Sequence, residues 1–392
     1  MEMEVYMKRR ILSVMMTTLL AASMAAVPAF AETVTIGVYE PASGDNGAGG
    51  KQETLGIQYA NSVAPTVEID GTTYDVALDI VDNESNNDKA VSAASKLVSD
   101  GSSIVLGSYG SGVSIAGSQT FQDAGVPALG VTCTNPQVTL GNTHYFRICF
   151  LDPFQGTVLA NFAKDNFEAT KAYVLTKQGD DYSAGLGHYF TKAFEDLGGE
   201  VVAETFPEGN SDFTSYITSA KNAEAGVIFA PTSTEAAALI IEQAAAQGVE
   251  VPLLAGDTWD SNVILNAAEG KDVSIYVTTF YQEGGNAEFD EGMKEFINSD
   301  STNLANNGGD DTVAAVTAMG YDAYFTALEA LKAAGSTDPA AVNEALWGVT
   351  LDGVCGHIEF DENGDAARSA AFVKQANTET GAWDFVAEQG IE

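Results

Sequence analysis

The chain has 392 residues and carries 17 Lys and Arg against 55 Asp and Glu, a formal net charge of −38. A field of that sign repels nucleic acid and anionic membrane surfaces, which excludes polyanionic partners. Hydrophobic residues make up 45% and fall in regular blocks, which excludes an acidic disordered chain, and the length suits two lobes better than one.

Lys8, Arg9 and Arg10 precede the uncharged run ILSVMMTTLLAASMAAV, which leads into Ala29-x-Ala31. That is the pattern of a signal peptide. Residues 1–31 are expected to be cleaved, leaving an exported, soluble chain from Glu32, periplasmic or otherwise extracytoplasmic. Translation can start at Met1 or Met7. The alternative is an uncleaved anchor, but the run is short for a membrane span and carries a cleavage site. No Cys follows the cut to take a lipid.

Strand-like and helix-like stretches then alternate. TVTIGVY is the first strand. GDNGAGGKQ resembles a phosphate loop only in outline, because Gln52 stands where Ser or Thr would hold magnesium, so a flexible, solvated loop is expected. The strand YDVALDIVD, the helix DKAVSAASKLVSD and the strands SSIVLGS, VPALGV and HYFRICF follow. Next come the helix PFQGTVLANFAKDNF, the strand KAYVLT, the helix SAGLGHYFTKAFEDLG and the strands EVVAETF and AGVIFA. STEAAALIIEQAAAQG is a helix stopped by Gly, and VPLLAG and VSIYVTT are strands.

Most of these strands are continuously apolar, as parallel strands covered on both faces are. Strand–helix–strand repetition predicts right-handed βαβ units in doubly wound sheets. The pattern runs twice, before and after about residue 150, so two similar α/β lobes are expected. Beyond them, DTVAAVTAMGYDAYFTALEALKAAG predicts a long helix and DPAAVNEALWG another. GHIEFDENGDAARSAAFVKQ predicts a hairpin of two strands about a polar turn. DENGD lacks the Gly and the closing Glu of a calcium loop.

In open α/β sheets ligands bind beyond the carboxyl ends of strands, at helix N-termini. Two adjacent junctions fit: VLGSYGSGVS, with Ser111, and LGVTCTNPQVT, with Thr132, Cys133 and Thr134. Their hydroxyls and backbone N–H groups suit a small carboxylate. Ser111 and Thr134 are otherwise helix caps. LLAGDTWDSNVI puts Asp257 at another strand end, where a carboxylate can hold a ligand cation, and Asp260 is expected to cap the next helix. GDDYSAGLG puts Tyr182 where its ring either closes over a ligand or packs a helix start.

Catalysis is not expected. There is no G-x-S-x-G elbow, and Cys133 has no His partner nearby in sequence. His144, His188 and His357 are scattered, and Cys133, Cys149 and Cys355 form no CxxC, so neither metal nor cofactor is expected. One disulfide is permitted, with one thiol left over.

Together SYGSGVS, VTCTNP, DDYSAGLG, GDTWD and GHIEFDENGD, in that order over the whole exported chain, resemble the periplasmic leucine/isoleucine/valine-binding protein family. These are the substrate-binding components of branched-chain amino-acid ABC transporters. The resemblance implies the type I periplasmic-binding fold, two doubly wound parallel-sheet lobes joined by a three-strand hinge. One lobe is expected over 32–151 plus 281–353 and the other over 152–280 plus 354–392.

The resemblance also implies roles. Ser111 binds the ligand carboxylate. Thr134 serves carboxylate and ammonium, and the Thr132 carbonyl accepts from the ammonium. Asp257 pairs with the ammonium, and Tyr182 is the lid tyrosine of the second lobe. Cys133 lies within the binding loop, with a dispensable sulfur. The family's first-lobe aromatic aligns near Gly49 and its second-lobe aromatic near Thr232. Its disulfide positions fall near Ser85 and Gly110.

The expected function is that of a monomeric solute-binding protein of an ABC importer. It would capture an amino acid, branched-chain or other aliphatic, and deliver it to a membrane permease. The alternatives are a ligand-sensing domain of the same fold, an amide, urea-type or short-chain acid solute, and an exported hydrolase.

Overall fold

The computed structural model describes residues 32–390. The signal peptide expected at 1–31 lies outside the described residues. Within them, no helix is long and apolar enough to cross a membrane.

The chain is an α/β protein built on two large sheets. The first contains β1 (Glu32–Glu40), β2 (Thr66–Ile69), β3 (Thr72–Asp82), β4 (Ile104–Leu106), β5 (Ala128–Gly130) and β6 (Tyr145–Arg147), in the spatial order β2-β3-β1-β4-β5-β6. β1, β4, β5 and β6 run parallel. Helices α1 (Gly47–Val63), α2 (Asn87–Ser99) and α3 (Ser111–Ala124) connect the strands.

Alternate strand residues serve the two faces. Ile104 and Leu106 join one apolar cluster with Leu55 and Ile57 of α1, while Val105 joins another with Leu97 of α2 and Phe121 of α3. Double coverage is the reason these strands read as unbroken apolar runs.

The second sheet repeats the plan. β7 (Lys171–Lys177), β8 (Glu200–Phe206), β9 (Val227–Phe229), β10 (Leu253–Ala255) and β11 (Ile275–Thr279) are parallel. α4 (Asp152–Phe167) and α5 (Asp181–Asp196) cover one face through Phe162 and Phe190. α6 (Thr214–Asn222), α7 (Thr234–Ala246) and α8 (Asn262–Ala268) cover the other through Ile217, Ile241 and Ile264.

The chain passes between the sheets three times. It leaves β6 for α4, and leaves β11 for α9 (Ala287–Asn298), α10 (Ser301–Asn306) and α11 (Ala315–Ala334). After α12 (Pro339–Leu346) and the small pair β12 (Thr350–Gly353) and β13 (Gly356–Glu359), it returns to the second sheet as β14 (Ala371–Asn377) and β15 (Ala382–Gln389).

Three local expectations are corrected. From Gly47 on, the glycine-rich stretch expected to be a solvated loop is the first turn and a half of α1, with Gly47, Gly49, Gly50 and Gln52 buried. Its glycines are there for close packing. A Cβ on Gly56, further along α1, would overlap the Thr317 carbonyl oxygen of α11 and fall 2.8 Å from its carbon.

The C-terminal hairpin is not formed either. β13 pairs with β12, and β14 pairs with β11 and β15, leaving only a single bridge between Phe360 and Ala366 about the polar turn. Asp260 does not cap α8. Ser261 does, accepting from the Val263 N–H, while Asp260 pairs with buried Lys374 at 2.9 Å.

The α1–α11 contact gives a direct test. Gly56→Ala is expected to destabilise the protein by about 1–3 kcal/mol, the range for overpacking, measured by urea unfolding. An unchanged midpoint would mean that the two helices are not held at this separation.

Candidate functional site

The two loops singled out in the sequence meet at the carboxyl edge of the first sheet. Gly110, at φ 109°, turns the chain so that Ser111 opens α3. The Ser111 hydroxyl accepts from the Asn135 N–H at 3.1 Å, which joins this junction to the Thr132–Thr134 loop. Neither predicted hydroxyl is a helix cap. The Thr134 hydroxyl is fully buried against the carboxyl of Asp152, and neither group has a further hydrogen-bond partner. The Thr132 hydroxyl donates to Glu53 of α1. Cys133 points into the apolar core with Val113 and Phe121, and burial pushes its thiol up to about 11. All three cysteines are free thiols.

One buried cation holds this loop in place. Arg147, fully buried on β6, donates to the carbonyls of Cys133 (2.8 Å) and Asn135 and to the Thr139 hydroxyl (3.0 Å). Its charge is met by Asp365 at 2.7–2.8 Å, from the third passage between the sheets.

The opposite wall comes from the second sheet. Asp257 follows β10 in a 3-10 turn, Asp257–Trp259. Its carboxylate accepts from Gln155 Nε2 at 2.9 Å and Tyr182 Oη at 3.1 Å. Tyr182 thus leaves the start of α5 to help hold the acid. The Thr258 hydroxyl donates to the Thr232 carbonyl at 2.9 Å, and the Thr232 hydroxyl accepts from the Trp259 indole at 3.3 Å. Thr232 therefore supports the wall, and its neighbour Ser233 lines the cavity.

Ser111, Tyr182, Ser233 and Thr258 share a cavity of about 40 Å³ between the walls. Several bonds cross it or flank it. Tyr109 Oη donates to the Thr258 carbonyl at 3.3 Å, Asn135 Nδ2 to the Asp181 carbonyl at 2.8 Å, and Gln52 Nε2 to Asn262 Oδ1 at 3.1 Å. At the mouth, Lys177 bridges Asp45 from the facing wall and Glu208.

The interior is rich in carboxyls. Burial raises Asp257 to about 6, against the lowering bonds from Gln155 and Tyr182. Burial raises Glu53 to about 7, with Thr132 and Glu40 pulling it down, and lifts Glu40 well above the carboxylate range. Burial raises Asp152 to about 8, with the Thr134 hydroxyl opposing. Arg147 is already matched by Asp365, so the region favours an added cation.

Sequence reasoning missed Glu53, Tyr109, Asp152 and Gln155. Tyr109 lay within a loop already singled out, and Asp152 and Gln155 open the helix after HYFRICF. Glu53 gave no signal, because a charge in a helical pattern ordinarily faces water.

Asp152 supplies a pH test. Its folded value of about 8 lies above the ordinary 3.8. The stability it contributes is therefore full below about pH 4 and lost as the pH rises towards 8. Asp152→Asn cannot ionise, so its stability relative to wild type is expected to climb from pH 4 to pH 8 in urea unfolding. Parallel curves would mean that Asp152 ionises freely.

The comparisons agree with this architecture. The family model described as periplasmic binding protein matches residues 33–382. Leu/Ile/Val-binding protein homolog 1 of Brucella abortus is 31% identical over 353 residues, covering 88% of this chain and 91% of that one. The leucine-binding protein LivK of Thermotoga maritima superposes with a TM-score of 0.80 at 32% identity, over 91% of this chain and 99% of that one. The branched-chain amino-acid transporter substrate-binding protein LivJ of Streptococcus pneumoniae, solved with isoleucine, gives 0.78 at 25% identity, over 92% and 99%. The type I periplasmic-binding fold, the two-walled site and a match across nearly all the described residues converge: the chain belongs to the periplasmic binding protein family.

Proposed function

We propose that this chain is the solute-binding component of an ABC importer. It captures an α-amino acid of the aliphatic class, branched-chain members included, and presents its closed form to a membrane permease. In this reading it works outside the cytoplasm, as a monomer, without a cofactor and without chemistry on the ligand. The lobes 32–151 plus 281–353 and 152–280 plus 354–392 close about the site.

The observation that carries the reading is the pairing of two unlike walls. Ser111 at the N-terminus of α3 and the buried Thr134 hydroxyl beside it suit a carboxylate. Asp257, buried and held by Gln155 and Tyr182, suits an ammonium. A zwitterion engages both walls, and charge-assisted bonds of about 1.5–3 kcal/mol each favour the closed form. Differential affinity of that kind is what drives closure. The names of the relatives support the aliphatic class.

Thermal unfolding of the purified mature protein with each L-amino acid, acetate, acetamide and urea tests this. A cognate amino acid at a hundred times its Kd is expected to stabilise by about 2.7 kcal/mol. A shift with another solute and none with amino acids would reject the reading. Asp257→Asn is expected to weaken the amino acid by about 2–5 kcal/mol in titration calorimetry. Ammonium binding needs the ionised carboxylate, so wild-type affinity is expected to fall as the pH drops through about 6.

A further inference from the structure

A cavity of about 810 Å³ lies where the three passages between the sheets come together, and it shares no lining residue with the cavity at Ser111. Its size falls within the roughly 300–1,000 Å³ of ordinary small-molecule sites. The first passage contributes Phe150, the second Phe280 and the third Arg368, with Phe372 of β14 and Phe385 of β15 completing the wall. The Phe150 and Phe280 rings pack at 4.2 Å between centroids, and those of Phe372 and Phe385 at 6.3 Å. Phe385 is 53% exposed, so part of this aromatic wall is apolar surface left in water.

The cavity also holds a cation without an anion. Of the two arginines among the described residues, Arg147 meets Asp365, but Arg368 has no carboxylate within ion-pair distance. Its Nε donates to the Ile148 carbonyl at 2.8 Å and its Nη1 to the Cys355 carbonyl, so the guanidinium is pinned between the first and third passages. Its Nη2 is buried without a hydrogen-bond partner. The neighbouring acids are engaged elsewhere or lie in water. Asp322, whose carboxyl feels the Arg368 charge, accepts from the Val354 and Cys355 N–H groups at 2.8 Å each. Within the lining, Glu283 is paired with Lys294, His357 with Asp352, and Glu388 is exposed. A fixed guanidinium with a free donor, set against aromatic rings, suits a carboxylate joined to an apolar body.

We propose that this cavity is a second binding site, for an amphipathic monocarboxylate. The carboxylate accepts from Arg368 Nη2, and the apolar body lies against Phe150, Phe280, Phe372 and Phe385. The cleft interior favours an added cation, whereas this cavity offers an unmatched one, so the two sites select opposite charges. The inference goes beyond the solute-capture reading and does not depend on it.

Titration calorimetry of the mature protein with 4-phenylbutyrate and with its uncharged amide tests it. The acid is expected to bind with a Kd at or below about 1 mM, and at least about ten-fold more tightly than the amide. Arg368→Gln removes the cation and is expected to weaken the acid at least about ten-fold. Phe385→Asp, at an exposed position, sets a carboxylate against the ligand and is expected to weaken it by a similar factor. Should Arg368→Gln fail to fold by circular dichroism, Phe385→Asp and the acid–amide comparison decide. No binding of the acid to the wild type, or equal binding of acid and amide, overturns the inference. So does an affinity left unchanged by either folded variant, since the probe would then sit elsewhere, the cleft included.

Discussion

A guanidinium buried without water must satisfy its donors from the protein, and that constraint on Arg147 organises the site. Its partners come from three places: the carbonyls of Cys133 and Asn135, the Thr139 hydroxyl, and Asp365 on the last passage between the sheets. The loop is fixed because its carbonyls are committed. Only then can the Asn135 N–H reach Ser111, and the Thr134 carbonyl receive the N–H of Asp152 that opens α4. A buried pair of this kind adds little net stability, since desolvation offsets the attraction. What it supplies is geometry. The same contact joins the Thr132–Asn135 loop to the third passage between the sheets, so the positions of the two are not independent.

Against that fixed loop stands an electrostatic imbalance. Asp257, Glu53 and Asp152 are buried where ionisation is unfavourable, each with a value raised by burial. Groups held in this way lower the stability of the protein alone and make it responsive to a cation placed among them. The bridge from Lys177 to Asp45 at the mouth is partly exposed, hence screened by salt, and is the weaker of these interactions. Charge is thus felt most strongly in the interior, away from bulk water.

The sheet architecture was legible in the sequence because double coverage leaves a plain signature, as in KAYVLT and AGVIFA. The placement of Ser111, Thr134, Asp257 and Tyr182 at the carboxyl edges of the sheets was legible because each follows an apolar run that reads as a strand. Pairing was not. Nothing local in GHIEFDENGD says that β13 joins β12 while β14 joins the second sheet. The β2–β3 hairpin carried its signal in Asp70-Gly71, both at positive φ, yet the short β2 was passed over. The start of α1 was misread because glycine disfavours helix locally, and packing against α11 overrode it. Asp260 looked like a cap, but its partner Lys374 lies far along the chain.

Gly49 and Tyr109 share one volume, and this makes them a single variable in the history of the chain. The two positions also impose an order on change. A larger residue at 49 meets the ring, so it can arise only after 109 has shrunk, and a small residue at 109 leaves a gap over a bare backbone. Substitution at either position is therefore felt at the other, and the two behave as one packing unit.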